Sequence, residues 1–376
     1  MSPAFCIPDH PIFRDRDVLE SDYVPEEFPF RDSQLEEIAY CLQPCLAGSR
    51  PLNAVLRGIP GTGKTTSVKR IFAEAEGATK RVLPVYVNCQ AERTLFSILS
   101  RVHSRIYGHV PPALGSPART VLDRVGRGLV DRKLVLAVCL DDANYLLADR
   151  LLNSVLYTLL RLHETYPGAR SGVLLAVSDM DIDFHQALDP CVMSVLSPTE
   201  ISFPPYTWEE VHSILQDRVR RALYPGVLPG ELLDLVVDRA MSCGDLRVGI
   251  DLVRRASLGA ERAGQKKVTR ENIETAFESS RDVYLGSCVK ALSKEEQDLL
   301  EHIARVTLED PERPITTGTL LGSVQGQMSY TVFHQRIKKL DEMRLIDVNH
   351  KNAGKGGRTR EILLRYDPVT VMEACE

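Results

Sequence analysis

The run Gly58-Ile59-Pro60-Gly61-Thr62-Gly63-Lys64-Thr65-Thr66 leaves little freedom in what the chain around it can fold into. It follows the apolar stretch Leu52 to Leu56 and precedes a helix-patterned segment beginning near Lys64, the strand, loop and helix setting that a phosphate-binding loop requires. A glycine-rich surface turn is the competing reading. It fits poorly, because the full pattern G-x-x-x-x-G-K-T falls at Gly58 to Thr65 in that setting. The glycines let successive backbone N–H groups turn inward on phosphates, Lys64 reaches the β- and γ-phosphates, and the Thr65 hydroxyl can ligate Mg²⁺. Gly61, Thr62, Gly63, Lys64, Thr65 and Thr66 are therefore the expected contacts to ATP or ADP, and the positive end of the helix dipole adds to them.

Beyond the loop, Val82 to Val87, Leu134 to Leu140 and Gly172 to Val177 read as short buried strands bounded by turn residues, as in a parallel sheet. Helical patterns separate them at Thr66 to Glu76, Leu95 to Tyr107, Ala118 to Asp131 and Leu151 to Thr165. Alternation of this kind predicts a doubly wound α/β domain with its ligand at the carboxyl ends of the strands. Phe203-Pro204-Pro205-Tyr206 breaks the alternation, and from Trp208 to about Tyr284 only helical segments follow, which predicts a small all-helical second domain. At 376 residues the chain is long enough for two or three domains.

The strand at Leu134 to Leu140 runs into Asp141-Asp142. A carboxylate at that tip, opposite the phosphate loop, is the expected Mg²⁺ partner, so Asp141 is assigned to the metal through water and Asp142 to polarising the attacking water. As a simple helix cap the pair would be unremarkable, and the phosphate loop favours the metal reading. An aspartate is one methylene shorter than a glutamate, which predicts slow hydrolysis. Ser178-Asp179, at the end of the next strand, and Arg247, on the first turns of the helix opened by Gly244-Asp245-Leu246, are candidate γ-phosphate sensors. For Arg247 a solvated helix face is the plainer alternative.

Net charge is −5, so any nucleic-acid surface must be a local patch. Nine scattered cysteines, mostly in apolar runs, suit reduced buried thiols and a cytosolic protein. Cys41 and Cys45 can share a helix face, which ordinary packing explains better than zinc, since no second ligand pair lies nearby. No basic, apolar leader opens the chain, and no run reaches the roughly eighteen apolar residues of a membrane span.

From about Val289 the pattern reads helix (Ser293 to Val306), helix (Thr316 to Leu321), helix (Ser329 to Met343), then strand, turn and strand, a winged helix-turn-helix. Ser293 followed by Glu295 and Glu296 is a helix start. On the third helix, Val332, Ile337 and Leu340 are expected to face the core, while Tyr330, His334, Gln335, Lys338 and Lys339 face a major groove. Ile346 to His350 and Arg360 to Arg365 form a hairpin whose basic tip carries Lys351, Lys355 and Arg358 for phosphate or minor-groove contact. Winged helices also bind proteins, and the local excess of Lys and Arg from Arg336 to Arg365 favours DNA.

In their order, Gly58 to Thr66, Leu140 to Asp142, Val177 to Asp179, Phe203 to Tyr206 and Gly244 to Arg247 resemble an AAA+ ATPase, and specifically the archaeal origin-recognition initiator family. Tyr23-Val24-Pro25 with Phe30-Arg31, and Leu188-Asp189-Pro190, carry the likeness further, so that it spans nearly the whole chain. The resemblance implies an α/β P-loop AAA+ core over 1–205, a small all-helical lid over 206–288 and a C-terminal winged helix-turn-helix over 289–376. It also implies that Tyr206 and Arg218 line the nucleotide, and that a helical insertion, here within about Arg101 to Arg127, grips DNA with Arg101, Arg105, Arg119 and Arg124. A solvated hairpin is the bland alternative for that stretch.

Some positions depart from the family pattern. Cys191 stands where relatives commonly carry an arginine, Met193 and Val195 replace basic residues, Asp179 replaces an asparagine and Asp142 a glutamate. The expectation is tight nucleotide binding with little turnover unless a partner helps. The function so implied is ATP-dependent binding of origin duplex DNA in the nucleoid, regulating initiation and helicase loading, with the replicative helicase and paralogous initiators as possible partners and no membrane. The alternatives are a regulatory ATPase of the signalling type whose winged helix binds protein, and a clamp-loader subunit, which would more usually end in a helical collar.

Overall fold

The computed structural model describes residues 12–25, 28–111, 117–178, 180, 182–310, 315–323, 328–353 and 357–375. They group into two compact units, one of Val24–Pro205 and one that joins the N-terminal segment up to Tyr23 to everything from Tyr206 onward.

In the first unit the chain runs α1 (Asp32–Leu46), β1 (Ala54–Arg57), α2 (Lys64–Ala78), β2 (Val82–Asn88), α3 (Leu95–Tyr107), α4 (Ala118–Asp131) and β3 (Val135–Asp141). It continues through α5 (Asn144–Ala148), α6 (Leu152–Leu160), α7 (Leu162–Thr165), β4 (Arg170–Val177), α8 (Phe184–Ala187), α9 (Pro190–Leu196) and β5 (Thr199–Ser202). The five strands form one sheet in the order β2-β3-β4-β1-β5, and every pairing is parallel. Two apolar clusters cover its faces. One sets α3, α4 and α6 against Val85, Val138 and Leu175; the other sets α1 and α2 against Leu56, Ala137 and Ala176. All seven residues of β3 are buried, which is why its sequence reads as a continuous apolar run rather than an alternating one. Cys41 and Cys45 pack in the second cluster as free thiols.

Helix α3 begins where the sequence places it because Thr94 caps the N–H of Ser97 and receives the reciprocal bond. The described parts of the Arg101 to Arg127 stretch are built into this unit: Val102, Ile106, Val121 and Val125 are buried in its core. Arg101 pairs with Glu92 at 2.8 Å, and Arg105 pairs with Glu76.

The second unit contains α10 (Trp208–Ala222), α11 (Gly230–Cys243), α12 (Leu246–Arg262), α13 (Arg270–Ala291), α14 (Lys294–Glu309), β6 (Ile315–Thr316), α15 (Thr317–Ser323), α16 (Tyr330–Glu342), β7 (Ile346–Ala353), β8 (Gly357–Leu364) and α17 (Pro368–Cys375). A single hydrophobic cluster runs from Leu215 and Val236 in the helical part to Phe333 and Val371 in the C-terminal part. The N-terminal segment belongs to it through buried Ile12 and Leu19 and a short antiparallel bridge from Phe13 to Leu223. Capping boxes start α10 (Thr207 with Glu210), α13 (Thr269 with Asn272) and α14 (Ser293 with Glu296).

α13 continues without interruption to Ala291, so the expected boundary near residue 288 falls inside a helix. The C-terminal part is a winged helix: three helices and an antiparallel sheet in the order β6-β8-β7, with the register Ile346↔Leu364 to Ala353↔Gly357. The core face of α16 is Phe333, Ile337 and Leu340, at i, i+4 and i+7, whereas Val332 is only half-buried. α17 packs on α13 and α14. Among the described residues no helix is long and apolar enough to cross a membrane.

Candidate functional site

The phosphate loop leaves β1 at Gly58 and enters α2 at Lys64. Gly63 is the N-cap of α2 at φ 92°, a left-handed conformation that glycine adopts without strain, and this turn brings the loop back over the helix's first N–H groups. Lys64 is buried, and its ammonium is folded onto the loop, donating to Gly58 O at 2.5 Å and Ile59 O at 3.0 Å. The Thr62 hydroxyl donates to Ile59 O at 2.9 Å and closes the turn.

In the sheet, β4 lies between β1 and β3, so the tips of these three strands stand side by side. Thr65, one residue into α2, donates its hydroxyl to Asp141 Oδ2 at 2.6 Å. The same oxygen accepts from the Tyr86 hydroxyl at 2.7 Å. Burial and the Asp141 charge hold the Tyr86 phenol well above its ordinary pKa, so it remains a donor to the carboxylate. Asp141 is buried, and its second oxygen accepts from the Asp142 N–H at 3.2 Å. Asp142 has a left-handed backbone, φ 54°, unusual for a residue other than glycine and common where a strand tip must redirect a side chain. It accepts a hydrogen bond from Ser178 at the tip of β4, 3.3 Å away. Asp179, the expected sensor, lies outside the described residues.

A hydroxyl and a carboxylate oxygen 2.6 Å apart are hard donors suited to Mg²⁺, which keeps water and phosphate oxygens in its remaining positions. Thr65 and Asp141 therefore fit the metal.

Arg31 is a site residue that motif reading registered only as part of a family marker. Almost fully buried, it donates to Thr62 O at 3.0 Å, to Phe30 O at 2.8 Å and to Pro204 O at 2.7 Å, tying the loop to the chain on either side of the core. No local pattern reveals such a role, because its partners lie 31 and 173 residues away.

In the second unit Arg247 is held by Asp245, which caps α12 through the Arg247 N–H at 2.8 Å and grips the guanidinium at 2.6 Å. Arg218 is buried, donates to Val18 O at 2.7 Å and lies over the Tyr23 ring at 4.4 Å, and burial lowers its pKa. Tyr206 is buried in the same unit's core.

On α16, Tyr330, Gln335 and Lys338 are exposed. His334 is half-buried, edge-on to Tyr330 at 4.3 Å. Lys339, expected from the sequence to face a major groove with them, does not face outward. Its ammonium is turned in on Glu296 at 2.9 Å, where the nearly buried carboxylate is also the capping-box acceptor of α14. Of the wing residues, Lys355 lies outside the described residues, and Lys351 and Arg358 are placed only by their backbones, in β7 and β8.

The profile of the Cdc6 AAA+ ATPase-type lid domain matches residues 212–278, and that of the AAA ATPase domain matches residues 27–181. The chain is 42% identical over 366 residues to ORC1-type DNA replication protein 2 of Methanosarcina mazei, covering 97% of this chain and 96% of that one. It is 40% identical over 360 residues to ORC1-type DNA replication protein 2 of Methanothermobacter thermautotrophicus, covering 95% and 93%. Among solved structures it resembles the Aeropyrum pernix ORC1 protein in complex with DNA, at 29% identity and TM-score 0.66 over 97% of this chain and 96% of that one. It also resembles the Aeropyrum pernix ORC2 protein in ADPNP-ADP complexes, at 25% identity and TM-score 0.71 over 97% and 98%. With a P-loop core, a Cdc6-type lid and a winged helix in one chain, matched nearly end to end at such identities, this protein belongs to the ORC1-type DNA replication proteins of the AAA+ ATPase class.

Proposed function

We propose that this chain is an ATP-dependent DNA-binding initiator that recognises replication origins and regulates the start of replication, including loading of the replicative helicase, with slow ATP hydrolysis. The observation that carries the reading is the Thr65 hydroxyl on Asp141 at 2.6 Å beside a phosphate loop. Two solved relatives support it, the Aeropyrum pernix ORC1 protein in complex with DNA and the Aeropyrum pernix ORC2 protein in ADPNP-ADP complexes.

Nucleotide binding would exchange the neutral carbonyls of Gly58 and Ile59 at Lys64 for charged phosphate oxygens, which are stronger acceptors. Thr65 and Asp141 would hold Mg²⁺, which when bound neutralises charge on the β- and γ-phosphate oxygens. Asp142 would polarise the attacking water, oriented by Ser178, while its short side chain limits the rate. The family resemblance further assigns Asp179, Tyr206, Arg218 and Arg247 to sensing or lining the nucleotide.

On the DNA side, Gln335 and Lys338, with Tyr330 and His334 beside them, would read the major groove, and the wing residues Lys351, Lys355 and Arg358 would contact phosphates. Paralogous initiators and the helicase would be the protein partners. Footprinting on the gene's own upstream region with and without ATP tests the reading. A protected site that sharpens with ATP is the expected result, and no protection in either condition would refute it.

A further inference from the structure

Two helix ends meet where the lid joins the winged helix. α11 is capped after Cys243 by Gly244 in the left-handed region, φ 72°, and Arg344, two residues past the end of α16, is also left-handed at φ 58°. The Arg344 N–H donates to Asp341 O at 2.9 Å and the Leu345 N–H to Leu340 O at 3.0 Å, closing off the helix. The Arg344 side chain crosses Gly244 so closely that a Cβ there would lie 2.7 Å from Arg344 Cγ. Two residues earlier, Ser242 O accepts from the Arg365 guanidinium, which also pairs with Asp347 of β7 at 2.6 Å.

The end of the helix expected to read DNA and the base of the wing therefore both hold Ser242–Gly244. That segment runs directly into Asp245, which caps α12 and grips Arg247. Lateral freedom at the turn is small, because one arginine fills the space that a side chain at 244 would take and the other bridges a carbonyl and a carboxylate.

We propose that Arg344 and Arg365 are positioning residues that couple the Gly244–Arg247 turn to α16, so that nucleotide occupancy and DNA affinity alter each other. The inference deepens the proposed function and rests on its assignment of Arg247 to the nucleotide. Neither arginine belongs to the proposed nucleotide or DNA contacts, and what they carry is the linkage between them, which is reciprocal by thermodynamic necessity.

The test titrates a labelled duplex of the gene's upstream region with the full-length protein, with and without ADPNP. Wild-type affinity should differ between the two conditions by a factor of roughly 5 to 150, the usual range of such coupling. Arg344→Gly removes the contact yet suits a left-handed helix end, so the protein should fold. Arg365→Lys keeps the charge and loses the two-pronged bridge. In both variants the coupling factor should fall below about 2, while ADPNP affinity and nucleotide-free DNA affinity hold. A folded Arg344→Gly with the wild-type factor would overturn the proposal; if that variant fails to fold, Arg365→Lys decides in the same way. So would a wild-type protein that binds both ligands without coupling. A wild-type protein that binds no ADPNP would instead remove the proposed function itself, and this inference with it.

Discussion

Lys339→Met separates a residue that holds the winged helix together from one that touches DNA. The Lys339 ammonium lies 2.9 Å from Glu296, with side-chain exposures of 14% and 11%. Removing one partner of a fully buried pair costs about 3–5 kcal/mol, and here the residual exposure and the Ser293 N–H, still bonded to Glu296 at 2.8 Å, reduce that to about 2 kcal/mol. For a cooperative unit of roughly 150–250 residues this corresponds to a melting temperature lower by about 4–8 °C. Adding Glu296→Gln to Lys339→Met discharges the stranded carboxylate while keeping a capping-box residue at that position, and should recover about 1 kcal/mol. Thermal unfolding followed by circular dichroism measures both variants against wild type, and anisotropy with a labelled duplex measures their binding. If Lys339→Met melted like wild type but bound duplex weakly, the inward placement of Lys339 would be wrong.

Lys64→Ala should weaken ADP binding by about 10- to 100-fold, the effect of losing charge-assisted bonds of about 1.5–3 kcal/mol, as isothermal calorimetry would record. Asp142→Glu should raise single-turnover ATP hydrolysis by about tenfold, a small part of the 10²–10⁴ that a well-placed base supplies, and an unchanged rate would mean that Asp142 is not the base. Duplex affinity should fall by about 250-fold between 50 and 200 mM salt if four to five phosphates are neutralised, whereas a flat titration would exclude a phosphate-dominated interface. His103 is buried against His109, and burial lowers its pKa from 6.5. The unfolded chain therefore binds this proton first, so stability should fall as pH drops from about 6.5 toward the lower folded value, and His103→Gln should flatten that part of the pH profile.

The parallel core was legible because its signals are local. A β3 that is apolar from Val135 to Leu140 and a complete phosphate loop each specify structure within a few residues. Where reading failed, the deciding partner was distant in the chain. Lys339 looks solvent-facing until Glu296, 43 residues earlier, comes alongside, and Arg31 has no visible function until Thr62 and Pro204 fold around it. The α16 core face was misphased by one position because Val332 and Phe333 are both apolar. The larger ring took the interior, since it removes more surface from water. α13, by contrast, runs unbroken from Arg270 to Ala291, past the expected boundary near residue 288, and its one glycine, Gly286, does not interrupt it.

That unbroken helix has a mechanical consequence. At 1.5 Å per residue, its 22 residues make a strut about 33 Å long, in which each residue rotates the downstream chain by about 100° around the axis. One residue inserted midway would swing the C-terminal module by more than a quarter turn, whereas seven, nearly two whole turns, would keep its orientation but carry it about 10 Å along the axis, away from Ser242 and Gly244. Helical phase, rather than length, is thus what aims the terminal module.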